Sequence, residues 1–449
     1  MNTQDSSPKS QASTIVITGM GWITPLGHDL ETVWAALLSG ASGVESTRHF
    51  DASTFPTQFS APVKGYDHND FVSHPELHTG VGLNTSFALG AAVQAWKQAG
   101  LEDYASGGAL DRARLGIYLG SGEGSLDFEN YVAANLAGWD AESRTVDGAK
   151  WADQAKECLQ ALVEIEQEPN MPLTHLALEF GAEGPAYNCL TACAASTQAI
   201  GEAAEILKRG DADVMITGGA HTMIHPLGVT GFNRLTALSN RNDAPLTASR
   251  PFSADRDGFV MGEGAGIIIL ETLEHATKRS ATPLAEIAGF GSTADAYRIT
   301  DIHPDGRGGA GAMKQALDAA GLAPQDVDYI SAHGTGTKEN DSIETKAIKA
   351  VFCPDGDTSA APPVSSVKSM LGHLIAAAGV CEAIVCALAI RDNKLPPTSN
   401  YGTPDPACDL DYIPNQARDV GAAGGSVDVC LSNSFGFGGQ NDTVVVRKV

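Results

Sequence analysis

Short apolar runs ending in glycine alternate along this chain with alanine-rich stretches of helical spacing. Ile15-Val16-Ile17-Thr18-Gly19-Met20-Gly21 reads as a strand closing in glycine turns, and Glu31 to Leu38 puts Trp34 on an apolar helical face, so the chain opens as a βα unit. The pattern then predicts a helix over Thr85 to Ala99, another running from Ala194 through Leu207, and strands over Leu115 to Leu119, Val214 to Ala220 and Gly266 to Glu271. A second series begins near Pro283: strand Leu284 to Phe290, helix Ala312 to Ala320, strand Tyr329 to Ala332, helices Ile343 to Val351 and Ala376 to Arg391, and closing strands Val429 to Ser432 and Thr443 to Val446. Strands that are apolar throughout suit a sheet covered by helices. The expected architecture is α/β, with two similar five-stranded units back to back. Between about 122 and 173 the sequence turns polar and irregular; it reads as a cap insertion of the kind that shapes a substrate entrance.

Length agrees with two core-forming units, because 449 residues exceed one ordinary domain. The boundaries expected are a tail over 1–13, an N-terminal half over 14–283 and a C-terminal half over 284–449. Met1 to Ala12 is polar and lacks an apolar h-region, so a floppy tail is expected there rather than a signal peptide. No run of about 18 apolar residues occurs, which predicts no membrane span. The eight cysteines (158, 189, 193, 353, 381, 386, 408 and 430) form no CxxC pair, which argues against a zinc site or a disulfide framework and for the reducing cytoplasm. A formal charge of −25 repels nucleic acid and anionic membranes, and also fits salty surroundings. Gly262-Glu263-Gly264-Ala265-Gly266 leads into a strand rather than out of one, so it is a weak phosphate loop.

Candidate chemistry centres on Cys193, set among small residues in Asn188-Cys189-Leu190-Thr191-Ala192-Cys193-Ala194-Ala195-Ser196-Thr197 at a strand-to-helix junction. A thiol opening a helix is activated by the macrodipole and by orphan N–H groups, although a lone cysteine is also consistent with plain packing. His333 follows an apolar strand, and His373 lies five residues after Lys368, ahead of another helix. Both histidines are therefore expected at strand carboxyl ends, where α/β sheets bind ligands. A thiol can carry an acyl group, and neutral imidazoles can donate to a carbonyl oxygen gaining charge, which suits carbon–carbon bond formation. Lys368 would orient the network, with Glu344 its expected ion-pair mate.

These residues stand in motifs that resemble the elongating β-ketoacyl-acyl carrier protein synthases (KAS II type) of the thiolase-like superfamily. The resemblance runs from Thr14 to Val449. It rests on Val16 to Gly21 with Thr24-Pro25-Leu26-Gly27, Thr191-Ala192-Cys193-Ala194, Arg250-Pro251-Phe252, Arg256-Asp257-Gly258-Phe259, His333-Gly334-Thr335-Gly336-Thr337, Lys368-Ser369-Met370-Leu371-Gly372-His373 and Asn433-Ser434-Phe435-Gly436-Phe437-Gly438-Gly439. It implies two βαβαβ halves layered α-β-α-β-α, and a decarboxylative Claisen condensation in fatty acid elongation, with malonyl-carrier protein as second substrate. Cys193 would accept the acyl chain, His333 and His373 would assist decarboxylation, and Lys368 would hold the histidines. The amides of Cys193 and Phe437 would form an oxyanion hole, with Phe437 also the gate. Thr335 and Thr337 would bind the phosphopantetheine arm, with Phe435 and Glu123 further substrate-binding positions. The family implies an acyl carrier protein partner, a homodimer, and no bound cofactor or catalytic metal. Glu382 and Asn433 match a structural monovalent-cation site.

Three features depart from that pattern. The segment His74 to Asn84, where a basic carrier-docking helix is expected, has no lysine or arginine, and Gln160 to Glu168 is acidic. Glu123 stands where an apolar gate residue of the acyl channel is expected, and a buried carboxylate there needs a partner or a proton. Gly336 gives the form common in polyketide ketosynthases. A stand-alone polyketide or specialised-lipid ketosynthase is therefore the alternative reading. A non-catalytic chain-length partner is set against the retained Cys193, His333, His373 and Lys368. A degradative thiolase lacks its C-terminal catalytic cysteine here.

Overall fold

The structure is a computed structural model that describes residues 13–449; the tail expected over 1–13 lies, but for Ser13, outside the described residues. Ten strands make one hydrogen-bonded sheet: β1 (Ile15–Ile23), β2 (Leu115–Ser121), β3 (Ala186–Cys189), β4 (Val214–His221), β5 (Gly264–Thr272), β6 (Ala285–Ala294), β7 (Tyr329–Ser331), β8 (Val364–Ser365), β9 (Val429–Gly436) and β10 (Gln440–Arg447). Their order is β8-β7-β9-β10-β6-β1-β5-β4-β2-β3. The sheet is two copies of one five-strand pattern, joined where β1 meets β6 through Val16↔Glu286 and Ile17↔Ala285. In one copy β2 runs parallel to β3 and β4, while β5 is antiparallel to β4 and β1. In the other β7 runs parallel to β8 and β9, while β10 is antiparallel to β9 and β6.

Helices complete the layers. α1 (Leu83–Gln98) and α2 (Met171–Phe180) cover the first half, and α4 (Arg307–Ala320) and α5 (Lys338–Phe352) the second. Between the halves lie α3 (Ala195–Arg209) and α6 (Ala378–Asp392), which touch each other, α3 also packing on β2 and β4 and α6 on β9. This is the thiolase-like α-β-α-β-α arrangement. α6 is buried from Ala378 through Ile390, as an all-round apolar helix must be. Its sequence, AGVCEAIVCALAIRD, carries one internal charge, Glu382.

Several elements outrun their apolar pattern, two of them at the site. α5 starts at Lys338, five residues before the expected Ile343, because its first turns are polar and yet buried at Asn340, Asp341 and Glu344. Thr337 caps it, accepting from the N–H of Asn340 at 3.3 Å. β9 likewise continues through Asn433-Ser434-Phe435 to Gly436. In both cases the polar extension faces the site. The segment over 122–173 carries helices Phe128–Gly138, Gly148–Cys158 and Ala161–Ile165.

Candidate active site

Cys193 sits in a single 3-10 turn, Ala192–Ala194, between β3 and α3. Ala192 takes a left-handed φ of +49°, a strained conformation for a residue with a side chain. Tight packing holds the turn: a Cβ on Gly120 of β2 would lie 2.2 Å from the backbone carbon of Ala195. The second half repeats the device before α6, where Ile375 has a φ of +46° at the start of the turn Ile375–Ala377. The first turn presents a thiol and the second follows His373, so the pseudo-equivalent helix starts meet at one centre.

Sγ of Cys193 lies 3.1 Å from Nε2 of His373. The backbone N–H of Ile375 donates to Nδ1 of the same ring at 3.2 Å, so its proton resides on Nε2 and points at the sulfur. The Lys368 ammonium lies 3.4 Å from Nδ1 of His333, which leaves that ring's proton on Nε2 as well. Burial first, and then the Lys368 charge, push both imidazoles well below their ordinary pKa. Both are therefore neutral hydrogen-bond donors. The rings stand edge to face, their centroids 5.4 Å apart.

Burial pushes the Cys193 thiol up to about 11, against the pull of Lys368 and of the backbone N–H groups of Phe437 and Cys193 itself. Those two amides are near enough to bear on the thiol's ionisation. Donor atoms of Cys193, His333 and His373 lie within 4.8 Å of one another. The ammonium behind them opposes a metal cation at that point, and the set fits acyl chemistry on sulfur.

Lys368 is paired with Glu382 of α6, not with Glu344. The expectation for Glu344 is corrected by geometry: its two oxygens accept the backbone N–H groups of His333 and Gly334 at 2.8 and 2.7 Å. It thereby fixes the histidine's loop. Burial raises the Glu344 carboxyl to about 7, partly offset by those N–H groups. Burial likewise raises Glu382, and Lys368 draws it back. Asn433 is not joined to Glu382; its amide nitrogen faces Glu344 at 3.4 Å, and the Thr443 hydroxyl donates to its oxygen at 2.9 Å.

His373 does not directly end a strand as His333 nearly does. A one-turn helix, Lys368–Leu371, intervenes after β8, and His373 is held by its N–H donating to the Val260 carbonyl at 2.7 Å. A cavity of about 640 Å³ reaches the thiol, lined by Cys193, His333, Thr335, Thr337, His373, Phe435 and Phe437. The Thr335 and Thr337 hydroxyls are 3.0 Å apart at its wall. Phe437 is 38% exposed at the rim and stacks on Phe232 at 6.4 Å. Glu123 is exposed and lies off this cavity. His221, which ends β4, escaped the sequence reading; a histidine closing an apolar strand was the available signal.

A buried thiol beside two neutral imidazoles and a paired lysine fits an acyltransferase of the ketosynthase class. Residues 12–276 match the family described as β-ketoacyl synthase, N-terminal domain, and residues 284–402 its C-terminal domain. The chain belongs to the β-ketoacyl synthase family. It is 42% identical over 438 residues to 3-oxoacyl-[acyl-carrier-protein] synthase 2 of Coxiella burnetii, covering 97% of this chain and 98% of that one. It is 40% identical over 439 residues to the protein so named in Staphylococcus aureus, covering 98% and 99%. Similar solved structures include a β-ketoacyl synthase from Burkholderia phymatum, at 32% identity and a TM-score of 0.84 over 97% of this chain and 100% of that one. Another is a type II polyketide acyl-carrier protein in complex with its ketosynthase bound to the hexaketide, at 33% identity and a TM-score of 0.83 over 98% and 100%. Among the described residues no helix is long and apolar enough to cross a membrane.

Proposed function

We propose that the chain catalyses chain elongation by decarboxylative Claisen condensation, with Cys193 as nucleophile and an acyl carrier protein delivering both substrates. The observation that carries this reading is the buried Cys193 thiol facing the Nε2–H of His373. In the first half-reaction Sγ attacks the acyl thioester carbonyl, the developing oxyanion is held by the amides of Cys193 and Phe437, and the carrier thiol leaves with the proton given up by Cys193. A malonyl thioester then enters past Phe437, its arm held by Thr335 and Thr337 and its body against Phe435. Loss of CO₂ leaves an enolate whose oxygen accepts from His333 and His373. The enolate carbon attacks the acyl carbonyl on Cys193, the C–S bond breaks with the sulfur leaving as a thiolate that takes up a proton from solvent, and the β-ketoacyl thioester departs on the carrier. Electrons for the new C–C bond come from the broken C–CO₂ bond, so no redox cofactor is called for. Lys368, paired with Glu382, keeps the rings neutral and oriented without touching substrate.

In this reading the chain divides at 283/284 into two halves, with the cap over 122–173. It works as a homodimer through β3, an edge strand with Tyr187 52% exposed and Leu190 beyond it 58% exposed. The eight free cysteines suit the cytoplasm. Incubation with acyl-carrier thioesters, followed by intact-mass analysis, tests the assignment: the expected result is one acyl adduct, lost in Cys193→Ala. Undiminished product from that variant overturns the mechanism.

A further inference from the structure

His221 is 2% exposed, yet neither ring nitrogen meets a hydrogen-bond partner among the described residues. Burial pushes its pKa down to about 4, so the ring is neutral at physiological pH and presents one N–H donor and one lone-pair acceptor. A buried polar group left unmatched is costly, and chains keep few of them. The ring has been given room. It lies against Gly122, where a Cβ would come within 2.3 Å of Nδ1 and 2.4 Å of Cε1. The nearby His225 is committed elsewhere, its Nδ1 accepting the N–H of Gly228 at 3.3 Å.

Position says what the ring serves. The cavity lined by Thr335, Thr337 and Phe437 reaches the sulfur. Cys193 also packs in an apolar cluster with Ile224, Val229, Met261 and Ile375, which do not line that cavity, and Met223 packs against it. Apolar surroundings of that kind suit an acyl chain carried on Sγ. His221 precedes Met223 by two residues and Ile224 by three, and is close enough to His373 to bear on its ionisation.

We propose that His221 is a specificity-determining residue, hydrogen-bonding a hydroxyl or keto oxygen borne along the acyl chain on Cys193. A saturated chain leaves both ring nitrogens unmatched, whereas an oxygenated one satisfies at least one of them. Sites built to bind a polar group reject analogues that lack it more strongly than apolar pockets reject added groups. The inference rests on the acylation of Cys193 proposed above.

The test compares acylation rates of the full-length protein with chain-matched thioesters, one saturated and one carrying an internal hydroxyl or keto group, read by intact mass. Wild type is expected to favour the oxygenated chain by about tenfold to a hundredfold. In His221→Leu the ratio is expected to fall towards one, and in His221→Gln, which still donates and accepts, to be largely retained. Equal rates in wild type, or preference for the saturated chain, overturn the inference while leaving the nucleophile standing. Absence of any adduct on Cys193 instead removes the reading on which it rests.

Discussion

Lys368 governs the chemistry from one atom away. Its ammonium faces Nδ1 of His333, and the Ile375 N–H does the same for His373, so two different donors enforce one tautomer. Because burial and Lys368 lower both imidazole pKa values, the folded rings bind fewer protons than unfolded ones between pH 6.5 and their depressed values. The sign is therefore that acid destabilises: the contribution is intact above about 6.5 and is lost progressively as pH falls. Condensation is expected to stay flat from about pH 7 to pH 6, and a rate limb near 6.5 would show that one ring protonates there after all. Lys368→Met leaves Glu382 buried without its cation, at a cost of about 3–5 kcal/mol, measurable by urea denaturation. The double variant with Glu382→Leu should recover part of that loss.

At the scale of elements, the site depends on two short turns with left-handed starts, at Ala192 and Ile375, each opening a central helix. The first is wedged by β2, so Gly120→Ala should push the start of α3 away and lower Cys193 acylation by more than about tenfold, checked beside circular dichroism for retained fold. A second polar arrangement ties α2 to its surroundings. His78 and His175 meet at 2.9 Å through their Nδ1 atoms, His175 reaches Glu166 at 3.0 Å, and His78 reaches Glu179 at 3.0 Å. His175→Leu removes the partner of Glu166 Oε1 and of His78 Nδ1, while Gly82 still donates to Glu166 and Glu179 still holds His78, and should cost about 1–3 kcal/mol per atom left unpaired with little change in the chemistry at Cys193. These turns and the histidine chain were not legible in the sequence. Neither a left-handed alanine nor a contact across 97 residues leaves a periodic trace.

Across the whole molecule, the formal charge of −25 makes self-repulsion a general load on the fold. Raising salt from low concentration to about 1 M should therefore raise Tm, since screening shortens to about 3 Å; a flat or falling Tm would mean that local pairs outweigh the global field. Four of the five strands in each half were readable from apolar runs, because strands buried on both faces and helices buried all round must be apolar along their length, whereas the short edge strands β3 and β8 were not singled out. The glycine-flanked motifs likewise placed Cys193, His333, Lys368 and His373 at element ends. The sequence by itself thus determined the architecture and the reactive residue types. Only the tertiary structure decided the partners: Glu382 rather than Glu344 for Lys368, an exposed Glu123, and a buried His221 without a mate among the described residues. Periodicity reports which face of an element is dry, whereas pairing among buried polar groups depends on which faces meet, and that is settled by packing between residues far apart in the chain.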